Sequence, residues 1–204
     1  MLPFLLVAGA VGANLAFVGL GVVFGYPDVL ARPAPEVLDL FAQHQFAVSA
    51  LFVLLAASAG LLAPISTRLA ARAANPANPA GLVVVGTAAA AVQVIGLVRW
   101  PLIVPFVDDP DTFRTLSTVL GTSIGETLGY ALTAVWTILV ARQFGLRPLA
   151  WPAAALVALG VLIPLGVPGT DLANFVGYVL WTVWLVAMAV RVWQPSRATV
   201  SSGA

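Results

Sequence analysis

The chain has 204 residues, 61% of them hydrophobic and only 8% charged, with a formal net charge of +1. Soluble domains carry about 25% charged residues, so this chain cannot cover itself with polar surface and requires a bilayer as part of its solvent. A near-neutral chain without a basic stripe excludes a nucleic-acid partner, and the absence of cysteine excludes disulfides, thiolate metal sites, thiol catalysis and a lipidated cysteine anchor.

The opening stretch MLPFLLVAGAVGANLAFVGLGVVFGYP has no basic leader and an apolar run longer than the roughly 7–15 residues of a signal-peptide core, so it reads as a first membrane span. Five more apolar segments follow. With the first they cover approximately 2–24, 45–65, 82–107, 117–141, 152–168 and 172–193. Each approaches the roughly 20 helical residues that cross a ~30 Å hydrocarbon core, the fifth being short and carrying Pro164. Alternating strands of a barrel are not present, and a spanning segment must satisfy its own backbone, so helices are the default.

Between the first two spans, YPDVLARPAPEVLDLFAQHQ places Val37, Leu38, Leu40 and Phe41 on one side of a short helix. This suits either a segment lying on the membrane surface or an extension of the second span. ANPANPAG is a proline-broken connector, and QPSRATVSSGA a small polar tail. Arg68, Arg72, Arg142, Arg147, Arg191 and Arg197 fall on one side of the bundle, against Arg32 and Arg114 on the other. The arginine-rich side is expected to be cytoplasmic. The fold expected is therefore all-α: a six-helix transmembrane bundle with both termini cytoplasmic. It forms one domain over residues 1–194, with a disordered cytoplasmic tail at 195–204.

Two charges lie inside the spans, Arg99 and Glu126. An arginine at a helix centre costs roughly 2.5–3.5 kcal/mol to insert, and such residues usually face the protein interior and find partners. At 1.5 Å per residue, both sit roughly 12–14 Å below the outer ends of their spans. Matched depth on adjacent antiparallel helices predicts an ion pair or a single water bridge. In GLVRWPLIVPFV, Pro101 and Pro105 deprive the Leu97 and Pro101 carbonyls of their helical donors, leaving them for the Arg99 guanidinium. Trp100 is expected to wall the resulting pocket.

In GTSIGETLGYALTAVWT, Gly121, Gly125 and Gly129 recur every four residues and permit close helix packing. Glu126, Tyr130, Thr133 and Thr137 follow helical spacing as one polar stripe. Asn174 and Tyr178 of the sixth span complete the candidate ligand-binding set of Arg99, Trp100, Glu126, Tyr130, Asn174 and Tyr178. Plainer roles stand beside each. The Arg–Glu pair would fix helix register, Arg99 would snorkel to headgroups, and Tyr178, Trp181 and His44 would be packing or interfacial residues. DDPD would hold a cation or, more simply, cap a helix through Asp111. No metal motif or cofactor site is found: one histidine supports neither a zinc centre nor a paired heme ligation.

YPDVLARPAPEVLDLF, GLVRWPLIVPFV and GETLGYAL, in this order and spacing, resemble a bacterial multi-pass membrane family catalogued as a domain of unknown function (number 4386). The resemblance covers approximately residues 20–165. It implies the six-span architecture, draws attention to Arg99, Trp100, Glu126 and Tyr130, and supplies no substrate or catalytic residue. The sequence thus leads to an inner-membrane protein that binds or transports a small amphipathic or anionic molecule. An intramembrane enzyme on a lipid or isoprenoid substrate with Glu126 as acid, or a structural or regulatory subunit of a membrane complex or homo-oligomer, are the alternatives.

Overall fold

The computed structural model describes residues 1–73 and 79–193; part of the ANPANPAG connector and the whole 195–204 tail lie outside the described residues. Helix α1 spans Leu2–Phe24, α2 Ala34–Gln43, α3 Gln45–Gly60, α4 Leu62–Ala70, α5 Pro79–Leu102 and α6 Pro110–Leu116. A π-helix over Ser117–Leu128 runs into α7, Gly129–Phe144, and α8, Arg147–Leu159, ends in a 3-10 turn, Gly160–Leu165, before α9, Thr170–Trp193. Among the described residues, six continuous helical segments are long and apolar enough to cross a membrane: α1, α3 with α4, α5, α6 through α7, α8 with its 3-10 turn, and α9. The fifth spans 19 residues despite Pro164, because the 3-10 turn carries it past the proline.

Each span packs against its neighbours in the chain, and α1 closes the ring on α9. Large apolar side chains remain exposed on all six, among them Phe4, Val53, Val84, Val135, Leu159 and Val190. A soluble protein does not leave a belt of this extent uncovered. This is a multi-pass membrane protein, and lipid is the medium that covers the belt.

Inside the ring, two apolar cores are separated by a polar layer. Leu6, Ile65, Leu69, Leu82, Trp136, Val140, Trp184 and Met188 form the core nearer the termini. Phe24, Val37, Phe41, Phe52, Trp100 and Phe113 belong to the core at the opposite end, where α2 and α6 cap the bundle. Between them, Gln93 donates to Thr133 Oγ1 at 3.2 Å, Trp181 to Thr137 Oγ1 at 2.8 Å and Asn14 to Thr182 Oγ1 at 3.0 Å. These bonds tie α5 to α7, α7 to α9 and α1 to α9, satisfying side chains that lipid would leave unpaired.

The stretch between the first two spans forms a separate ten-residue helix, α2, and does not extend the second span. His44, with φ −121° and ψ 20°, breaks the backbone between α2 and α3. Val37 and Phe41 are buried, and Leu38 and Leu40 half-buried. The cap of α6 differs from expectation: Asp109, not Asp111, accepts the Thr112 N–H at 2.7 Å. Pro110 opens the helix, which fixes the residue before it as the cap.

The third and fourth spans meet backbone to backbone at Gly96 and Gly125, while Gly121 and Gly129 leave room for side chains of the third span. A Cβ on Gly96 would lie 2.6 Å from the Gly125 Cα, and one on Gly129 would lie 2.9 Å from Gln93 Cγ. The every-fourth-residue glycines therefore let the π-helix and α7 seat directly on α5. The register is antiparallel, with Gly121 against Arg99, Gly125 against Gly96 and Gly129 against Gln93.

Candidate functional site

Arg99 and Glu126 line one cavity of about 280 Å³ at the capped end of the bundle. Leu30, Arg32 and Ala34 form one side, Phe113, Arg114, Ser117, Thr118 and Thr122 another. Three arginines from three separate elements thus share the lining with one glutamate, and of the three it is Arg99 whose charge Glu126 feels. Arg32 precedes α2, Arg99 lies near the end of α5, and Arg114 sits in the last turn of α6.

The Arg99 side chain is only 3% exposed. It does not take the Leu97 carbonyl as expected; its Nη1 donates to the Gly96 carbonyl. Helical side chains tilt toward the N-terminus, so the guanidinium folds back along α5. Gly121 leaves the space it occupies: a Cβ there would stand 2.6 Å from Arg99 Nη2. The Arg99 Nε is buried without a partner, as is the Ser117 hydroxyl. Both therefore hold unused hydrogen-bonding capacity within the protein, on residues that line the cavity.

Glu126 is brought to the same cavity and feels the Arg99 charge, yet no direct ion pair joins them. The π-helix accounts for the arrangement. Its i−5 pattern is marked by Ser123 Oγ donating to the Thr118 carbonyl at 3.0 Å and Thr127 Oγ1 to the Thr122 carbonyl at 2.8 Å. It aligns Thr118, Thr122 and Glu126 along the cavity. The polar stripe expected from α-helical spacing consequently divides: Glu126 faces the cavity, while Thr133 and Thr137 belong to the polar layer.

The remaining candidates lie outside the cavity lining. Trp100 is not a pocket wall. It is the hub of an aromatic cluster, stacked on Phe52 at 5.0 Å and edge-on to Phe24 at 5.1 Å and Phe113 at 5.8 Å. Its ring lies 5.3 Å from the Arg99 guanidinium carbon, which gives the charge a cation–π neighbour. Asn174 donates to the Val157 carbonyl at 2.9 Å, where α8 tightens into its 3-10 turn and loses its regular donors. Tyr130 meets Tyr178 edge-on at 5.9 Å, and Gly160 leaves room for the Tyr130 ring. His44 sits exposed at the junction of α2 and α3. Among the described residues, no three His, Cys, Asp or Glu side chains group as metal ligands, the DDPD stretch included.

Tyr26 was not singled out in the sequence, and the structure brings it into electrostatic range of both Glu126 and Arg99. Burial holds its phenol above the ordinary tyrosine value; the Glu126 carboxylate pushes the same way, and Arg99 opposes it. Tyr130 and Tyr178 also lie within range of Glu126, so all three tyrosines of the chain surround this carboxylate. Arg32, Arg114, Ser117 and Thr118 were likewise not proposed as site residues. One signal was present: Arg32 and Arg114 are the loop arginines on the arginine-poor side, where membrane topology gives no reason for them.

Comparison with family models, with curated proteins and with solved structures finds no match for this chain.

Proposed function

We propose that this is a multi-pass protein of a bacterial inner membrane that binds or transports a small anionic, amphipathic molecule in the Arg99–Glu126 cavity. The observation that carries this reading is the buried Arg99 guanidinium, its Nε unpartnered, lining an open cavity beside Arg32 and Arg114. A buried charge without a full set of partners is costly to maintain. An anionic ligand supplies the missing partner and offsets that cost. The arginine distribution supports cytoplasmic termini, so the cavity opens toward the periplasmic side. The three motifs around residues 20–165 support membership of the bacterial family of unknown function numbered 4386.

Native mass spectrometry of the gently extracted protein tests the ligand reading. A co-purifying lipophile lost in both Arg99→Ala and Glu126→Gln is the expected result. A ligand-free protein indifferent to both changes would leave only a scaffolding role.

A second reading, an intramembrane enzyme with Glu126 as acid, is favoured by one observation. Glu126 makes no direct ion pair with Arg99, and close pairing would have held the carboxyl ionised. Turnover of a lipid or isoprenoid substrate that survives Glu126→Gln excludes this role.

A further inference from the structure

We infer that the cavity receives the phosphate ester of a headgroup and that Glu126 restricts it to headgroups bearing an N–H or O–H donor beside the phosphate. This rests on the anionic-ligand reading above and narrows it. The donors around the cavity outnumber what a carboxylate can use. Arg32, Arg99 and Arg114 line it from three elements, each guanidinium carrying several N–H groups in a planar fork. Ser117, Thr118 and Thr122 add hydroxyls along one wall. A planar carboxylate presents two oxygens in one plane, whereas a tetrahedral phosphate presents oxygens in several directions and suits donors converging from different sides.

Volume limits what enters. The cavity, about 280 Å³, falls at the lower edge of the ≈ 300–1,000 Å³ typical of small-molecule sites. A polar headgroup fits, and the apolar part of an amphiphile stays in the surrounding lipid. The Glu126 carboxylate shares the lining with the arginines. An ionised carboxylate only accepts hydrogen bonds, so a ligand with bare oxygens on that side is repelled. One with an ammonium or hydroxyl group turned toward Glu126 is accepted, and selectivity arises from the repulsive element as much as from the attractive one.

The test uses full-length protein stripped of lipid in detergent and read by native mass spectrometry. The probes are dioleoyl phosphatidylethanolamine, phosphatidylglycerol and phosphatidylcholine, together with oleate. The ethanolamine or glycerol lipid is expected to exceed phosphatidylcholine, which has no donor, and oleate, which has no phosphate, by about tenfold in retention. Arg99→Lys is expected to reduce retention about 10–100-fold, the loss of one charge-assisted contact. Arg32→Ala and Arg114→Ala change exposed side chains and are expected to weaken binding with helix content intact. They keep the test decisive if the Arg99 variant does not fold. Glu126→Gln is expected to raise phosphatidylcholine toward the ethanolamine lipid.

Displacement of bound lipid by sn-glycerol 3-phosphate assigns the site to a soluble phosphate ester, and resistance to it assigns the site to a lipid; both support phosphate recognition. Phosphatidylcholine held as well as the ethanolamine lipid by the wild type overturns the role given to Glu126. Oleate held equally well through Arg99 overturns the phosphate assignment and leaves the anionic-amphiphile reading standing. Binding of every probe that is indifferent to all three arginines overturns both.

Discussion

A methyl group at position 121 would enter the space of the Arg99 guanidinium, whereas one at position 96 would strike the Gly125 backbone at 2.6 Å. The two glycines therefore predict different losses. Gly121→Ala is expected to cost about 1–3 kcal/mol, the usual range for overpacking, and to impair ligand retention, because the displaced side chain loses its place at the cavity. Gly96→Ala is expected to cost more, since backbone cannot move aside as a side chain can. Thermal unfolding in detergent, followed by tryptophan fluorescence, checks the order; a Gly96→Ala protein melting with the wild type contradicts the crossing described. Arg99 and Glu126 were legible in the sequence because the cost of an intramembrane charge belongs to the residue itself. Depth arithmetic also placed them at one level of the bundle. Their lack of direct contact was not legible, for it depends on the backward tilt of the arginine and on notches made by glycines in two helices.

At the scale of elements, the apolar lengths and proline breaks marked the six spans, and the amphipathic pattern after Pro35 marked α2. The π-helix over Ser117–Leu128 left no comparable sign. Its Ser, Thr and Gly residues pack without a strong apolar period, so α-helical spacing was the natural reading; it put Tyr130 near Glu126, as found, but also in the cavity lining, where it is not. Trp100 shows the same limit in another form: the indole's destination depended on aromatic residues contributed by α1, α2, α3 and α6, which no local pattern links. The start of α6 gives a testable case. Its cap, Asp109, titrates below the ordinary aspartate value of 3.8 because the Thr112 hydroxyl and backbone N–H stabilise its charged form. The cap is thus complete above that ordinary value and is lost as pH falls through the depressed one. Hydrogen exchange at the Thr112 amide should remain slow through mild acid and accelerate only in strong acid. Asp109→Ala should show fast exchange at every pH.

For the whole molecule, the closed ring of spans agrees with what apolar length alone indicates, while its direction in the membrane rests on arginine placement. A chain without cysteine makes that direction directly measurable. Asp39→Cys and Thr67→Cys introduce thiols at exposed positions near opposite ends of the bundle. A membrane-impermeant maleimide applied to intact cells is expected to label the first, and the second only after permeabilisation. The reverse result inverts the molecule and leaves its packing untouched. The fourth span adds a consequence of its own. Its continuous helix, Pro110–Phe144, has 35 residues, up to roughly 50 Å at α-helical rise, against a hydrocarbon layer of ~30 Å. With Arg142 near one end favouring water, the surplus would project from the opposite leaflet and lift α6 out of the hydrocarbon. Arg114 on α6 then stands outward of the buried Arg99 on α5, so a ligand entering as proposed would pass from hydrated to dehydrated contacts between neighbouring helices, without first dissolving in the acyl chains.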